Sequence, residues 1–266
     1  EGTLAFIAEA IMETIPDQPF KATAMLYFTD IREACKAIEP LAAAGAAMVE
    51  LMDRASLRAV ENIDGIDPYI SQLPASASAL LVEFQADNQT ALTASVDSFL
   101  QGCSAFSLLK FPSFSIAEKE RNFLWKIRKG LFPSVGAVRK KGTTVILEDI
   151  AFPVANLGDA IGDLQVLFDT YNYPDAIIFG HAKDGNIHFV VTQPFDTPAE
   201  VDRYDAFIRA VVDLVVRKYN GSLKAEHGTG RNMAPFVETE WGGDAYAIMK
   251  TVKQLADPLG LLNPGV

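Results

Sequence analysis

The chain has 266 residues, with 23 Lys+Arg against 34 Asp+Glu and a formal net charge of -11. Hydrophobic residues make up 49% and charged residues 21%, which excludes a disordered chain, and the acidic balance excludes a general binder of nucleic-acid phosphates. Two cysteines, Cys35 and Cys103, cannot by themselves build a disulfide framework, a four-thiolate zinc site or an iron–sulfur site, and no stretch is apolar for long enough to span a bilayer.

Lys21 to Thr29 alternates apolar and polar residues and predicts a strand. Asp30 is placed to cap an Ala-rich helix over Ile31 to Ala44. Ala46 to Met52 reads as a second strand, Ser56 to Ile63 as a short helix and Ser78 to Gln85 as a third strand. A helix over Asn88 to Leu100, an extended run over Ala105 to Phe111 and an amphipathic helix over Ile116 to Lys129 follow. The second half repeats the rhythm. Strands are expected at Thr143 to Ile150, Asp175 to His181 and Asn186 to Thr192, and helices at Leu157 to Tyr171, Thr197 to Tyr219 and Ala245 to Ala256. Strand, helix and hairpin units of this kind predict an α+β fold: antiparallel sheets with helices on one face, in two halves divided near residues 111 to 145. No Gly-rich phosphate fingerprint follows a strand, which disfavours a doubly wound parallel sheet.

All three histidines fall in two short motifs, GHAKDGNIHF at residues 180–189 and AEHGTG at residues 225–230. Asp-Gly between two apolar runs predicts a two-residue hairpin turn at Asp184–Gly185. That register sets His181 directly opposite His188, with Cβ atoms roughly 4.5–5.5 Å apart, close enough for both rings to reach one metal ion. Glu226 is the natural third ligand, since two His and a carboxylate suit a divalent metal with an open position. In an extended segment His227 would point away from Glu226, leaving it free to move a proton. Asn186 suits either the turn or a ligand. The alternative is three structural histidines bonded to backbone.

From Arg121 to Leu147 there is no Asp or Glu, while seven Lys and Arg occur. This excess would draw an anion. Arg128 could clamp a carboxylate with two bonds, and helical spacing puts Arg121, Trp125 and Arg128 on one face. A solvated helix face explains the same residues equally well. Trp125 and Phe123 read as core.

GHAKDGNIHF resembles the metal-binding hairpin of the C-terminal domain of FAD-linked oxidases, the group of D-lactate, glycolate and D-2-hydroxyglutarate dehydrogenases. AEHGTG, Val49 to Arg54 (VELMDR) and Asp257 to Gly265 (DPLGLLNPG) resemble further motifs of that family, in family order. Arg128 to Gly136 (RKGLFPSVG) with Glu148 to Pro153 (EDIAFP) is similar to large bacterial members that also carry an iron–sulfur region. The resemblance implies a duplicated, ferredoxin-like antiparallel α+β domain. Residues 1–20 would be the tail of a separate FAD-binding domain, residues 21–240 the substrate (cap) domain, and residues 241–266 a closing helix and flavin-proximal segment.

The resemblance also implies roles. His181, His188 and Glu226 would hold a divalent metal of the zinc type, and His227 would take the substrate hydroxyl proton as hydride passes to FAD. Arg128 would bind the substrate carboxylate, with Asn186 lining the site. Glu1, Gly2, Thr3, Glu226 and Asn263 would lie near the flavin. Family members acting on D-2-hydroxyglutarate hold it with a Thr and a Lys, where this chain has Phe132 and Leu147; Lys140 or Lys141 would have to substitute. The expected partners are a small 2-hydroxy acid, the FAD-binding domain and an iron–sulfur domain or other electron acceptor, with no nucleic acid. The expected location is cytoplasmic, at most peripheral to the inner membrane. The chain opens without Met, and both ends read as cuts through a longer polypeptide. Two other functions stay open: a flavin-free metallohydrolase using the same His/His/Glu site, and a non-catalytic assembly module.

Overall fold

The structure, a computed structural model, describes residues 1–133 and 139–266. Ser134, Val135 and Gly136 of the RKGLFPSVG motif lie outside the described residues.

The first half runs β1 (Phe20–Phe28), α1 (Ile31–Lys36), α2 (Ile38–Ala43), β2 (Ala46–Met52), α3 (Arg54–Val60), β3 (Ser78–Ala86) and α4 (Gln89–Gly102). Asp30 caps α1 by accepting from Glu33 N, and Asn88 caps α4 in the same way through Ala91 N. The single helix expected over 31–44 is two short ones that meet at Ala37. After α5 (Glu118–Lys129) the plan repeats: β4 (Thr144–Ala151), α6 (Leu157–Thr170), β5 (Ile177–His181), β6 (Asn186–Gln193) and α7 (Pro198–Val212). The expected extended run at 105–111 contributes only an isolated bridge from Leu108 to Phe28. A π-helical turn, Asp213–Lys218, continues α7. Short α8 (Gly230–Met233) and long α9 (Val237–Ala256) close the chain, α9 breaking at Gly242, where φ is 80°.

The strands form one six-stranded antiparallel sheet in the order β1-β3-β2-β5-β6-β4. Each half is therefore the same three-strand unit, its third strand in the middle. The two units join edge to edge where β2 meets β5, with Glu50 opposite His181 and Met52 opposite Phe179. Helices α1 and α6 meet over this seam, Arg32 Nε donating to Asp159 Oδ1 at 2.8 Å.

Strand alternation divides the core between the two faces. On one face Ala24, Leu26, Leu51, Val82, Phe84, Ile187 and Phe189 pack under α1, α2, α4, α6 and α7. This is the expected helix layer. On the other face Tyr27, Met52, Leu81 and Phe179 pack under α3 and α5 through Leu57, Val60 and Ile127. Those two helices roof mainly the first unit. The second face of the second unit is left for the histidines.

Candidate active site

Strand β5 ends at His181. The chain then makes a 3₁₀ turn, Ala182–Asp184, and Gly185 takes a left-handed conformation with φ 68°. The observed pairs are Ile177 with Val190 and Phe179 with His188. The hairpin is thus offset by two residues from the expected register, because the turn is longer than the two-residue type. An offset of two keeps every side chain on its predicted face, whereas an offset of one would have reversed them. His181 and His188 therefore still converge, diagonally, with ring centroids 5.5 Å apart.

Their Nε2 atoms each lie 3.1 Å from the same oxygen, Glu226 Oε1. Their Nδ1 atoms face two further carboxylates. His181 Nδ1 is 2.7 Å from Glu50 Oε1, and His188 Nδ1 is 3.4 Å from Asp149 Oδ1. At His181 the Glu50 carboxylate bonded to Nδ1 holds the proton there and leaves the Nε2 lone pair facing the centre of the cluster, the arrangement that backs a metal-bound histidine, whereas the buried His188 Nδ1 makes no hydrogen bond among the described residues and has Asp149 only as a neighbouring charge. Burial lowers the His188 imidazole below its ordinary pKa, while the hydrogen bond to Glu50 raises His181.

Glu226 and His227 do not point to opposite sides. Residues 225–227 are bent rather than extended, and the His227 ring stacks on His188 with centroids 5.0 Å apart. His227 Nε2 lies 3.9 Å from Glu226 Oε1. Two overlapping sets of possible metal donors result among the described residues: His181, His188 and Glu226, and Asp149, His188 and His227.

Arg128, on α5, reaches the cluster through Glu50. Its Nε donates to Glu50 Oε2 at 2.9 Å, its Nη2 lies 2.8 Å from the same oxygen, and its guanidinium sits 4.7 Å from the Phe179 ring centroid. Burial pulls the Arg128 pKa down, against the opposing pull of Glu50. Arg121, expected to act with it, is half-buried and donates to Ile116 O instead. Trp125 is tied to the buried Glu83 through Nε1 at 2.7 Å, a core role as expected.

Asn186 is buried beneath the cluster, its Nδ2 donating to Asp149 Oδ1 at 2.6 Å and Ile150 O at 3.0 Å. Its amide nitrogen therefore supports Asp149 and does not line the open face. Lys140 is not brought to the cluster. It precedes β4 at the end remote from Asp149, beside Pro174, Asp175 and Thr192. Five residues of strand from Thr144 to Asp149 span roughly 17 Å.

Glu1, Thr3 and Asn263 do converge. Glu1 Oε1 accepts from Gly230 N at 2.9 Å, and a Cβ on Gly228 would lie 2.3 Å from Glu1 Cγ. Asn263 Nδ2 donates to Thr3 Oγ1 at 2.8 Å. Asp257 holds the closing turn by accepting from Leu261 N and Leu262 N, and the Lys253 ammonium beside it keeps its carboxyl down at about 2. A cavity of about 920 Å³ lies elsewhere, between β1 and α5, lined by Met25, Tyr27, Phe123 and Ile127 and by none of the histidines.

Glu50 and Asp149 were not picked out from the sequence. Each is a carboxylate in a largely apolar strand, Asp149 beside a second one at Glu148, and a buried charge needs partners, so AAMVELM and TVILEDIA carried that signal.

The family described as FAD linked oxidases, C-terminal domain, matches residues 18–266. The chain belongs to that family. It is 27% identical over 270 residues to the glycolate oxidase subunit GlcD of Bacillus subtilis (strain 168), covering 100% of this chain and 54% of that one. It is 27% identical over 278 residues to the D-2-hydroxyglutarate dehydrogenase of Stutzerimonas stutzeri (strain A1501), covering 100% of this chain and 56% of the other. The chain thus spans about half the length of these curated relatives. An alkyldihydroxyacetonephosphate synthase structure matches with a TM-score of 0.65 at 14% identity, over 99% of this chain and 48% of that one, a likeness of fold. Among the described residues of this FAD-linked oxidase domain, no helix is long and apolar enough to cross a membrane.

Proposed function

We propose that this domain is the substrate-side half of an FAD-dependent dehydrogenase that oxidises a 2-hydroxy acid. The observation that carries the reading is the convergence of His181 Nε2 and His188 Nε2 on Glu226 Oε1, at 3.1 Å each, with a buried carboxylate behind each ring. Two neutral imidazoles and a carboxylate suit a divalent cation of the zinc type. When bound, such an ion would polarise the substrate hydroxyl, and FAD would accept the hydride.

The chain's own residues supply the rest. His227 is exposed beside the donor set and is placed to take the hydroxyl proton at Nε2. Arg128 supplies the positive charge for the substrate carboxylate, with Glu50 holding its Nε and Nη2. Beyond Arg128 the face is apolar, with Leu147 paired to Val190 and Phe179 opposite His188. With Lys140 remote, this favours a monocarboxylate such as glycolate or lactate over a diacid. The relatives' printed names cover both kinds.

The partner of this face is the FAD-binding half of the same polypeptide. Among the exposed large apolar residues, Phe6, Ile7, Ile11, Met12 and Ile15 cluster near the start, and Ile248, Val252 and Leu255 lie at helical spacing on α9 beyond its break. Exposed apolar faces of this size are normally covered. Membership of an FAD-linked family weighs against the flavin-free hydrolase. An iron–sulfur centre elsewhere in the polypeptide is one candidate for the next electron acceptor.

The test uses the full-length flavoprotein without oxygen and a panel of D- and L-2-hydroxy acids. Bleaching of the flavin by a monocarboxylate is expected. No bleaching by any member, with flavin and metal both bound, would overturn the assignment.

A further inference from the structure

Asp149 is fully buried on β4, on the face that carries the histidines. Its Oδ2 accepts from three consecutive backbone amides: Ala225 N at 3.1 Å, Glu226 N at 2.8 Å and His227 N at 2.8 Å. Its Oδ1 accepts from Asn186 Nδ2 at 2.6 Å and faces His188 Nδ1 at 3.4 Å. Successive amides of an extended chain alternate in direction, so three in a row meet one oxygen only if the backbone is bent. That bend is what sets the Glu226 and His227 side chains next to each other.

Attachment of this loop does not require Asp149. Ala151 and Ser222 already exchange two backbone hydrogen bonds of 2.9 Å, and Lys224 Nζ is bound to Glu148 Oε2 at 2.8 Å. Asp149 adds an orientation to an attached loop. Burial alone would raise its carboxyl, but the bonds from His227 N, Asn186 and Glu226 N outweigh that and hold it below the usual range.

We infer that Asp149 is the positioning residue of the site: its carboxylate fixes the bend that places a metal-ligand carboxylate and a proton acceptor from adjacent residues on one centre. Its catalytic meaning rests on the roles proposed above for Glu226 and His227; the clamp itself does not. Asparagine is a poor replacement. Both carboxylate oxygens face donors, so one donor set would meet an NH₂ group. Asn186→Ala keeps the carboxylate and removes one of its donors, which gives a milder version of the same lesion.

The experiment compares Asp149→Asn and Asn186→Ala with wild type in the full-length polypeptide. Three readouts are taken: amide hydrogen exchange, zinc titration against a chelator, and the split between kcat and KM. For Asp149→Asn, faster exchange at residues 225–227 with β6 still protected is expected. Zinc should bind about 10- to 100-fold more weakly, the usual loss when a group behind a metal ligand is removed, and kcat should fall by more than KM rises. Asn186→Ala should shift the same readouts less far, and it carries the test if Asp149→Asn does not fold. Exchange at 225–227 and zinc affinity both within twofold of wild type, with only thermal stability reduced, would overturn the proposal. If wild type binds no zinc yet the 225–227 amides loosen, the metal reading fails and the clamp stands. If zinc binds wild type and Asp149→Asn alike and the 225–227 amides also exchange alike, the clamp fails and the metal reading stands.

Discussion

Glu50 Oε1 lies 2.7 Å from His181 Nδ1, directly across the seam where the two halves of the sheet join. The other oxygen of the same carboxylate holds Arg128. One side chain thus fixes both a candidate metal ligand and the candidate substrate cation. Glu50→Gln should therefore damage two functions together. It leaves the buried Arg128 guanidinium without its counter-charge, a loss on the order of 3–5 kcal/mol, and it frees the His181 ring. Denaturant unfolding and a zinc titration of one variant measure both. Unchanged zinc affinity would show that Glu50 serves Arg128 alone.

The two donor sets are separable by single substitutions. His188 belongs to both, His181 and Glu226 to one, and His227 to the other. His188→Ala and His181→Ala should each remove most bound zinc, measured by metal analysis after gel filtration, whereas His227→Ala should leave it. Equal loss from His181→Ala and His227→Ala would mean that ligand and proton acceptor have been assigned the wrong way round.

A third expectation concerns pH and lies away from the site. Asp53 caps α3 by accepting from Ser56 N at 2.7 Å, and burial pushes its carboxyl up to about 6. The folded chain therefore holds this proton more tightly than the unfolded chain. That contribution to stability is complete below the unfolded value near 3.8 and is lost as pH rises through about 6. Asp53→Asn keeps a cap acceptor and has no proton to lose. Its unfolding free energy should exceed that of wild type above pH 6, by at most about 3 kcal/mol, and converge with it near pH 4. Identical pH slopes in the two proteins would refute this.

Two glycines near the histidines should respond differently to alanine. At Gly185 φ is 68° and a Cβ would lie 2.0 Å from Phe152 O, a rigid backbone atom. Gly185→Ala should cost about 2–4 kcal/mol and disturb the hairpin. At Gly228 the nearest atom is Glu1 Cγ, at 2.3 Å, part of a side chain that can move. Gly228→Ala should displace Glu1 from Gly230 with little loss of stability. Thermal melts of both variants decide the matter, and a larger loss at Gly228 would contradict the packing described here.

Much of this was legible in the sequence. Alternation and turn residues placed β2 at Ala46–Met52 as observed and β1 within one residue. Local pattern is enough there, because apolar β-forming residues fill both strands and turn or capping residues bound them. The histidine hairpin was legible in its outcome but not in its register, since Asp184–Gly185 matches a common short turn while the chain uses a longer one. The bend at 225–227 was not legible, because it is imposed by Asp149, 76 or more residues away. Lys140 was misjudged for the same kind of reason: nearness in sequence to β4 does not say which end of the strand faces the chemistry.

The repeated three-strand plan divides the site between its two units. His181, His188 and Asp149 sit on the second copy, whereas Glu50 and Arg128 are lent across the seam by the first copy and the helix that follows it. Neither copy alone holds the full set. The seam between β2 and β5 is therefore part of the site as well as of the sheet: cutting there would part the histidines from the groups that hold them.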